Sequence, residues 1–284
     1  MTPMEEAPSQ AQVREAVVTA LAEDLGEGDI TAALVPETLQ ATGSIVTREE
    51  AVFCGTAWAE MTFQAFDHSA TIQWNTKDGA RIVPGQVLCT VAGTARALLT
   101  GERMALNFLQ TLSGTATIAR RYREQVADLP VVLLDTRKTM PGLRAAQKYA
   151  VTCGGCTNHR MGLHDALLIK ENHILASGSI TKAVHNARQL FPDLPIEIEV
   201  ENVDQLQEAL AAGVQIVLLD NFDIAALKLA VRQRQGRTLL EASGGITLEN
   251  VRQVAETGVD RISIGALTKD VQAIDLSMRL RIDR

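Results

Sequence analysis

The protein has 284 residues, and its 27 lysines and arginines against 34 aspartates and glutamates give a formal net charge of −7. Apolar residues make up 46% and charged residues 21%, which is typical of a globular protein with a substantial core. The acidic balance disfavours non-specific nucleic-acid binding. The aromatic content of 4% disfavours a surface that stacks bases or sugars.

The amino-terminal segment predicts no targeting signal. Residues 1–10 contain Glu5, Glu6 and two prolines, but they have neither the basic start nor the apolar centre of a signal peptide. No later stretch approaches the roughly 18 consecutive apolar residues of a membrane-spanning helix. We therefore expect a cytoplasmic protein that binds neither membranes nor nucleic acids.

Two of the four cysteines, Cys153 and Cys156, form a C-x-x-C motif. Such motifs occur in redox pairs and zinc sites, but no second C-x-x-C, suitable histidine pair or thioredoxin-like context accompanies this one. In a reducing compartment the cysteines are expected to be thiols. A glycine-rich turn carrying two thiols is the favoured interpretation, and a redox or metal role is the less favoured alternative.

The first third of the chain mixes helical and strand patterns. Apolar spacing predicts a helix over 9–24, capped by Ser9, and another over about 56–67. Short β-rich runs over 41–92 are separated by Asp-Gly and Pro-Gly turns. These patterns predict an α+β module.

A long helical pattern begins near residue 95. Leu98, Ala105, Leu109 and Leu112 line one face of it. Arg103 lies about 140° around the helix from Leu98 and so points away from the apolar face. On the helical pattern alone, a solvated arginine is the simplest interpretation.

From residue 131 onward, short strand-like runs alternate with helical patterns, as expected for repeated β-α units around a parallel sheet or barrel. The predicted strands are Val131–Leu134, Ala166–Ile169, Ile196–Val200, Gln215–Leu219, Thr238–Glu241 and Arg261–Ile264. The predicted helices span 142–151, 179–190, 203–212, 223–234 and 247–257. The predicted fold class is therefore α/β.

Polar residues stand at the ends of these strands. In parallel β/α folds the active site lies at the carboxyl ends of the strands, so these residues should converge. The first two strand ends supply the cations Arg137, Lys138 and Lys170, with His159 and Arg160 just before the second strand. Because unpaired buried cations are costly, this cluster predicts a polyanionic ligand.

The later strands supply different chemistry. Glu199 and Asp220 can accept hydrogen bonds from ribose hydroxyls, hold magnesium or stabilise a transient cation. The Ser243–Gly245 loop and Gly265 are small enough for backbone N–H groups to enclose a phosphate. Together, the strand ends predict a site for a phosphorylated sugar that reacts with an anionic partner.

Seven strings of the sequence resemble the quinolinate phosphoribosyltransferase family. They are GERMALN at 101–107, DTRKT at 135–139, NHR at 158–160, LIKENH at 168–173, EIEVE at 197–201, LLDN at 218–221 and SGG at 243–245. The strings occur in the family's order, and the likeness extends from about Glu23 to the carboxyl terminus.

The resemblance implies an N-terminal α/β sandwich over 1–113 and a C-terminal open α/β barrel over 114–284, with the last residues packing back on the first domain. It also implies a homodimer whose active sites are shared between subunits. The implied reaction joins quinolinate to phosphoribosyl pyrophosphate, with magnesium, and yields nicotinate mononucleotide, pyrophosphate and carbon dioxide for NAD biosynthesis.

The resemblance also implies which residues bind quinolinate. Arg103 would reach the neighbouring subunit's site and bind a carboxylate there, which would explain its position off the apolar face. Arg137, His159 and Arg160 would hold the dicarboxylate, and Thr136 belongs to the same binding site.

The remaining implied roles concern the second substrate. Lys138 and Lys170 would neutralise the pyrophosphate and a substrate carboxylate. Glu199 and Asp220 would face the ribose and its magnesium ion. These four residues are the predicted catalytic residues.

Two backbone segments, Ser243–Gly245 and Ile264–Ala266, would hold the 5′-phosphate. One departure from the family pattern follows the second segment, where some members have a histidine and this chain has Lys269. A lysine could still contact phosphate, but Lys269 is not assigned to the site.

Three other functions fit parts of the pattern. Lys170 at the end of a barrel strand is compatible with a Schiff-base lyase or aldolase. A related phosphoribosyltransferase could use nicotinate or another anion, although the arginine-rich site favours a dicarboxylate. A non-catalytic ligand-binding protein would not need the full set of strand-end residues.

Overall fold

The structure is a computed structural model that describes residues 7–234 and 236–282. Residues 1–6 of the segment predicted to lack a targeting signal lie outside the described residues. The chain forms two units. The first unit extends up to Arg120 and includes Thr139–Gly155 and the segment from Asp270 onward. The second unit comprises 121–138 and 156–269.

The described helices and strands follow in chain order. The helices are α1 (Gln10–Leu25), α2 (Thr56–Phe66), α3 (Ala95–Gln125), α4 (Arg144–Cys153), α5 (Glu171–Ser177), α6 (Ile180–Leu190), α7 (Val203–Ala211), α8 (Ile224–Gln233), α9 (Val251–Ala255) and α10 (Ala266–Lys269). The strands are β1 (Gln40–Thr47), β2 (Ala51–Val52), β3 (Thr71–Trp74), β4 (Arg81–Ile82), β5 (Val87–Thr94), β6 (Val132–Leu134), β7 (Leu167–Ile169), β8 (Ile196–Val200), β9 (Ile216–Asp220), β10 (Leu239–Ser243), β11 (Arg261–Ser263) and β12 (Leu276–Ile282). A short 3-10 helix spans Ala32–Leu34.

The first unit is a four-stranded antiparallel sheet covered by helices. The strand order is β12-β1-β5-β3, so the last described strand pairs with the first. Burial alternates along β1, as expected for a strand with one face in the core. Ile45 of β1 packs in one core with Phe63 of α2 and Leu98 of α3. Burial of each such side chain contributes roughly 1.5–3 kcal/mol to stability.

The amino-terminal helix begins where its capping residues predict. The Ser9 hydroxyl accepts the N–H of Gln12 at 3.3 Å, and the Gln12 side chain accepts the N–H of Ser9 at 2.9 Å. This reciprocal capping box satisfies two backbone donors that a helix start leaves open. Val13, Val17 and Leu21 then form the buried face of α1.

The second unit is built on a six-stranded parallel sheet in the order β6-β11-β10-β9-β8-β7. All six strands were predicted from the sequence, and the α/β fold class with a barrel-like second domain is confirmed. Strand β8 is buried on both faces, as expected where helices cover one side of a parallel sheet and the interior lies on the other. Its register therefore decides which side chains face the interior.

Three α-helices differ from the sequence prediction. Helix α5 directly follows β7 and was not predicted, and neither was the four-residue helix α10. The helix predicted over 247–257 is confined to α9, because the preceding segment forms a turn. In that turn Thr247 donates its N–H to Asn250 Oδ1 at 2.9 Å, and the Asn250 amide donates to the carbonyl of Gly245 at 2.8 Å.

Over residues 7–234 and 236–282, no helix combines the length and the apolar character that crossing a bilayer requires.

Candidate active site

A cleft of about 430 Å³ opens at the carboxyl ends of the parallel strands in the second unit. Nine of the residues predicted from the sequence line it: Thr136, Arg137, Lys138, His159, Arg160, Lys170, Glu199, Asp220 and Ser243. Leu168, Leu218 and Ser263 also line it and were not predicted. The six strand ends therefore converge on one site, as parallel topology requires.

One part of the cleft is cationic. The Thr136 hydroxyl accepts the N–H of Lys138 at 3.1 Å and so orders the turn after β6. Arg160 donates from Nη1 to the carbonyl of Ala166 at 3.2 Å. Burial lowers the pKa of Arg160, and the nearby charge of Arg137 lowers it further. An anionic ligand would relieve this repulsion.

The carboxylates of the cleft lie on the next two strands. Glu199 accepts a hydrogen bond from Lys170 Nζ at 2.5 Å. Burial raises the pKa of Glu199, the Lys170 ammonium opposes that shift, and the charge of Asp220 adds to it. The Asn221 amide donates to Asp220 Oδ2 at 2.8 Å and fixes that carboxylate. Two carboxylates thus lie together beside an ammonium group.

The loop after β10 has a conformation that requires glycine. Gly244 has φ +94°, and a Cβ atom there would lie 2.1 Å from Asn221 Oδ1. Asn221 itself has φ 56° and donates its N–H to the carbonyl of Ser243 at 2.9 Å. Gly245 also has a positive φ of 61°, but the space around its missing side chain is open. The two loops that follow β9 and β10 therefore pack together without room for a side chain at Gly244.

The loop after β11 lies beside the cationic part of the cleft. A Cβ atom on Gly265 would lie 3.3 Å from Lys138 Cδ. Ile264 is buried and donates its N–H to the carbonyl of Leu134 at 2.8 Å, and Ala266 begins the four-residue helix α10. The glycine lets the Lys138 side chain cross close to the backbone.

Behind the cleft lies a buried cluster that the sequence analysis did not single out. His159 Nε2 lies 3.0 Å from Glu197 Oε2 and 3.5 Å from Glu241 Oε1. Glu197 is 4% exposed and Glu241 is fully buried. One potential ligand atom from each of the three residues lies within 4.8 Å of the others, a spacing that a metal ion could use. The sequence feature that could have revealed this cluster is the glutamate inside each of the apolar strands β8 and β10.

The hydrogen bonds of His159 indicate that its Nε2 carries a hydrogen and does not ligate a metal ion. Its Nδ1 accepts the N–H of Arg160 at 2.7 Å, so in the neutral ring the hydrogen resides on Nε2. An Nε2 that carries hydrogen donates to Glu197 and cannot ligate a metal ion.

Two predicted features lie in the first unit. Arg103 is exposed on α3. Cys153 of the C-x-x-C motif interacts with Cys54 of the same unit: a hydrogen bond from the Cys54 thiol lowers the pKa of Cys153, and burial raises the pKa of Cys54.

The sequence and the fold agree with one group of known proteins. Residues 29–113 match the quinolinate phosphoribosyl transferase N-terminal domain, and residues 115–279 match the C-terminal domain of the same family. The chain belongs to the quinolinate phosphoribosyltransferase family.

Individual members of this family resemble the whole chain. The nicotinate-nucleotide pyrophosphorylase (carboxylating) of Mycobacterium leprae is 43% identical over 274 residues, which cover 94% of this chain and 96% of the relative. The solved structure of the nicotinate-nucleotide pyrophosphorylase from Francisella tularensis has a TM-score of 0.91 at 43% identity, covering 96% of this chain and 98% of that one. The corresponding structure from Ehrlichia chaffeensis has a TM-score of 0.91 at 38% identity, covering 97% and 100%. The family assignment makes this chain an enzyme, a phosphoribosyltransferase.

The glycine loop gives a test of the site's architecture. We expect Gly244→Ala to lower the free energy of unfolding by about 1–2 kcal/mol for the left-handed backbone, with about 1–3 kcal/mol more for the clash with Asn221. The control is Gly245→Ala, which has the same backbone constraint and open space. Urea denaturation of both variants measures the difference, and equal losses would contradict the close packing of Gly244 on Asn221.

Proposed function

We propose that the cleft transfers the phosphoribosyl group of phosphoribosyl pyrophosphate to quinolinate and that decarboxylation follows. The products are nicotinate mononucleotide, pyrophosphate and carbon dioxide, so the enzyme would serve de novo NAD biosynthesis. The observation that carries the proposal is the convergence of Arg137, Lys138, Arg160 and Lys170 with Glu199 and Asp220 at one set of strand ends. The family membership adds the reaction class.

Quinolinate binds at the arginine-rich end. Arg137 and Arg160 each present a planar guanidinium that suits bidentate binding of a carboxylate. Two carboxylates of one ligand match two guanidinium groups, whereas the single carboxylate of nicotinate matches only one. His159 lies beside Arg160 and completes this end of the cleft.

Phosphoribosyl pyrophosphate spans the rest of the site. Lys138 and Lys170 are point charges that suit phosphate oxygens and would neutralise the departing pyrophosphate. The 5′-phosphate binds to the Ser243–Gly245 loop and to Ile264–Ala266, where small residues leave backbone N–H groups accessible. Gly244, whose Cβ would collide with Asn221, keeps this loop compact.

The chemistry follows from the charges. When the anomeric C–O bond breaks, the ribose carbon gains oxocarbenium character, and Glu199 and Asp220 stabilise the positive charge from fixed positions. The pyridine nitrogen of quinolinate attacks that carbon and becomes cationic. The cationic ring then accepts the electron pair released when the adjacent carboxylate leaves as carbon dioxide.

Magnesium fits the oxygen-rich side of the cleft. It prefers oxygen ligands and commonly binds one or two carboxylates together with substrate phosphates. Glu199 and Asp220 are the carboxylates that would lie near it, with the pyrophosphate supplying the other oxygens. When bound, the ion would neutralise developing charge on the leaving group.

We also propose that the enzyme is a cytoplasmic homodimer in which Arg103 of each subunit enters the partner's site. Arg103 is exposed on α3 and lies off the helix's buried face, so its guanidinium is accessible for such a contact. A third arginine at the quinolinate end would strengthen the preference for a dicarboxylate.

A Schiff-base lyase is less compatible with the geometry. Such an enzyme needs a lysine with a free, neutral amine. The Lys170 side chain instead lies in an ion pair with the Glu199 carboxylate at 2.5 Å, so its nitrogen is already engaged.

Product formation tests the proposal directly. Purified protein is incubated with phosphoribosyl pyrophosphate and magnesium, with quinolinate in one arm and nicotinate in the other. We expect nicotinate mononucleotide from quinolinate only. Product from nicotinate alone, or no product from folded protein in either arm, would contradict the proposed substrate.

The carboxylate roles predict a loss of turnover. Glu199→Gln and Asp220→Asn keep the shape of the side chains but remove their charge, so each is expected to reduce kcat by about 10²–10³. Glu201→Gln is the control, because Glu201 is exposed just beyond the end of β8. Near-normal turnover in both cleft variants would show that neither carboxylate stabilises the transition state.

The shared site predicts complementation between inactive subunits. Arg103→Ala and Lys170→Ala proteins should each be nearly inactive, because each lacks a cation of the site. If they exchange into mixed dimers, one of the two sites is fully native, so random mixing should restore about a quarter of wild-type activity. The refolded mixture is compared with each variant refolded alone. No recovery in mixed dimers would place Arg103 outside the partner's site.

A further inference from the structure

Two buried glutamates lie behind the quinolinate end of the cleft and have no place in the proposed chemistry. Side chains alternate along a strand, so Glu197 lies one interior position deeper than Glu199, and Glu241 one deeper than Ser243. Both carboxylates face His159, whose side chain is 11% exposed at the floor of the cleft. Buried carboxylates are costly, so a structure keeps them only where other groups compensate.

Both ring nitrogens of His159 are used inside the protein. Nδ1 accepts the backbone N–H of Arg160 at 2.7 Å, and Nε2 contacts Glu197 at 3.0 Å. The backbone N–H of His159 donates to Asp135 Oδ1 at 2.8 Å, and Asn158 donates to the other oxygen of Asp135 at 2.7 Å. The segment that carries Arg160 is therefore held at three successive residues, and a ring whose Nδ1 accepts carries its hydrogen on Nε2.

Glu241 is mostly protonated below its raised pKa and mostly ionised above it. Burial raises its pKa to about 7, and the charge of Glu197 contributes to the rise. The Ser263 hydroxyl and the charge of Arg261 oppose it, as would a positive charge on His159. The 3.5 Å separation from His159 Nε2 is longer than a normal hydrogen bond, so the ring N–H serves mainly Glu197.

We infer that Glu197 and Glu241 are positioning residues for the substrate dicarboxylate: they hold the His159 ring inward so that Arg160, rather than His159, supplies the charge. This inference rests on the proposed function, because the dicarboxylate is its ligand. Glu197 accepts the ring N–H, and Glu241 in its neutral form fills the space beside it without repelling the substrate.

The inference predicts a selective effect on quinolinate. Glu241→Leu removes the acid and crowds the ring, and we expect the KM for quinolinate to rise roughly tenfold, the equivalent of one lost hydrogen bond to a charged group. The KM for phosphoribosyl pyrophosphate and kcat should change by less than about threefold, because Arg160 does not act on the ribose. Glu241→Gln, which is neutral and has the same shape, should retain the wild-type KM at pH values below the pKa of Glu241.

A matched control separates positioning from lost stability. Asp260 also lies in the second unit, where it pairs with Arg234 and accepts the N–H of Leu240 at the opposite end of β10. Asp260→Asn should lower the melting temperature while leaving both KM values unchanged. If Glu241→Leu raises both KM values equally, or if neither KM changes in folded protein, the positioning role is wrong.

The pH dependence gives a readout that a merely structural glutamate would not produce. Above its pKa, Glu241 ionises and adds negative charge beneath the dicarboxylate, so the wild-type KM for quinolinate should rise with pH. The rise is at most about tenfold for each pH unit by which bound substrate raises the pKa of Glu241. The ratio of wild-type to Glu241→Gln KM should therefore increase with pH. A constant ratio would overturn the role of Glu241.

Histidine nitrogen NMR tests the tautomer directly. We expect His159, assigned with a His159→Asn variant, to be neutral with its hydrogen on Nε2. A cationic ring, or a hydrogen on Nδ1, would overturn the inference. Wild-type protein that makes no nicotinate mononucleotide would instead refute the proposed function, and the NMR result would still be interpretable.

Discussion

The placement of four cations in one small cleft is the constraint on which the site in the second unit depends. Arg137, Lys138, Arg160 and Lys170 all line a space of about 430 Å³, and burial, with the nearby charge of Arg137, lowers the pKa of Arg160. A hydrogen bond from Arg160 to the carbonyl of Ala166 and a close ion pair between Lys170 and Glu199 hold two of these side chains in place without a ligand. The binding energy of an anion can then be used to orient it, because these two cations are already positioned.

The parallel sheet arranges the opposing charges by depth. Because interior positions recur every second residue, β8 presents Glu199 at the cleft and Glu197 beneath it. Strand β10 presents Ser243 above Glu241 in the same way. Carboxylates at the surface of the cleft can face a ribose, whereas the deeper ones lie around His159. The same residue type thus has two roles, decided by strand register.

Much of this arrangement could be predicted from the sequence, and the remainder has identifiable causes. The six strands and most of the nine cleft residues followed from short apolar runs with polar ends, since parallel strands bring their carboxyl ends together, whereas His159 and Arg160 were assigned from their place just before the second predicted strand. Helix α5 was missed because it starts immediately after β7, with no intervening loop signal. Glu241 was missed because a glutamate inside an apolar run does not reveal its partner: His159 is 82 residues away in sequence and becomes its neighbour only through the sheet. The contact between Cys153 and Cys54 is equally non-local.

A neutral His159 would decide how the cleft distinguishes its ligands. A cationic imidazole in contact with Glu197 would compensate a buried carboxylate, and little of its charge would reach the substrate. A neutral ring with both nitrogens occupied leaves recognition to the guanidinium groups, whose planar donors demand two correctly spaced carboxylates. Selectivity for a dicarboxylate would then come from geometry more than from total charge. The acidic groups beneath the cleft are compatible with an anion-binding site because one of them, Glu241, is mostly protonated below its raised pKa.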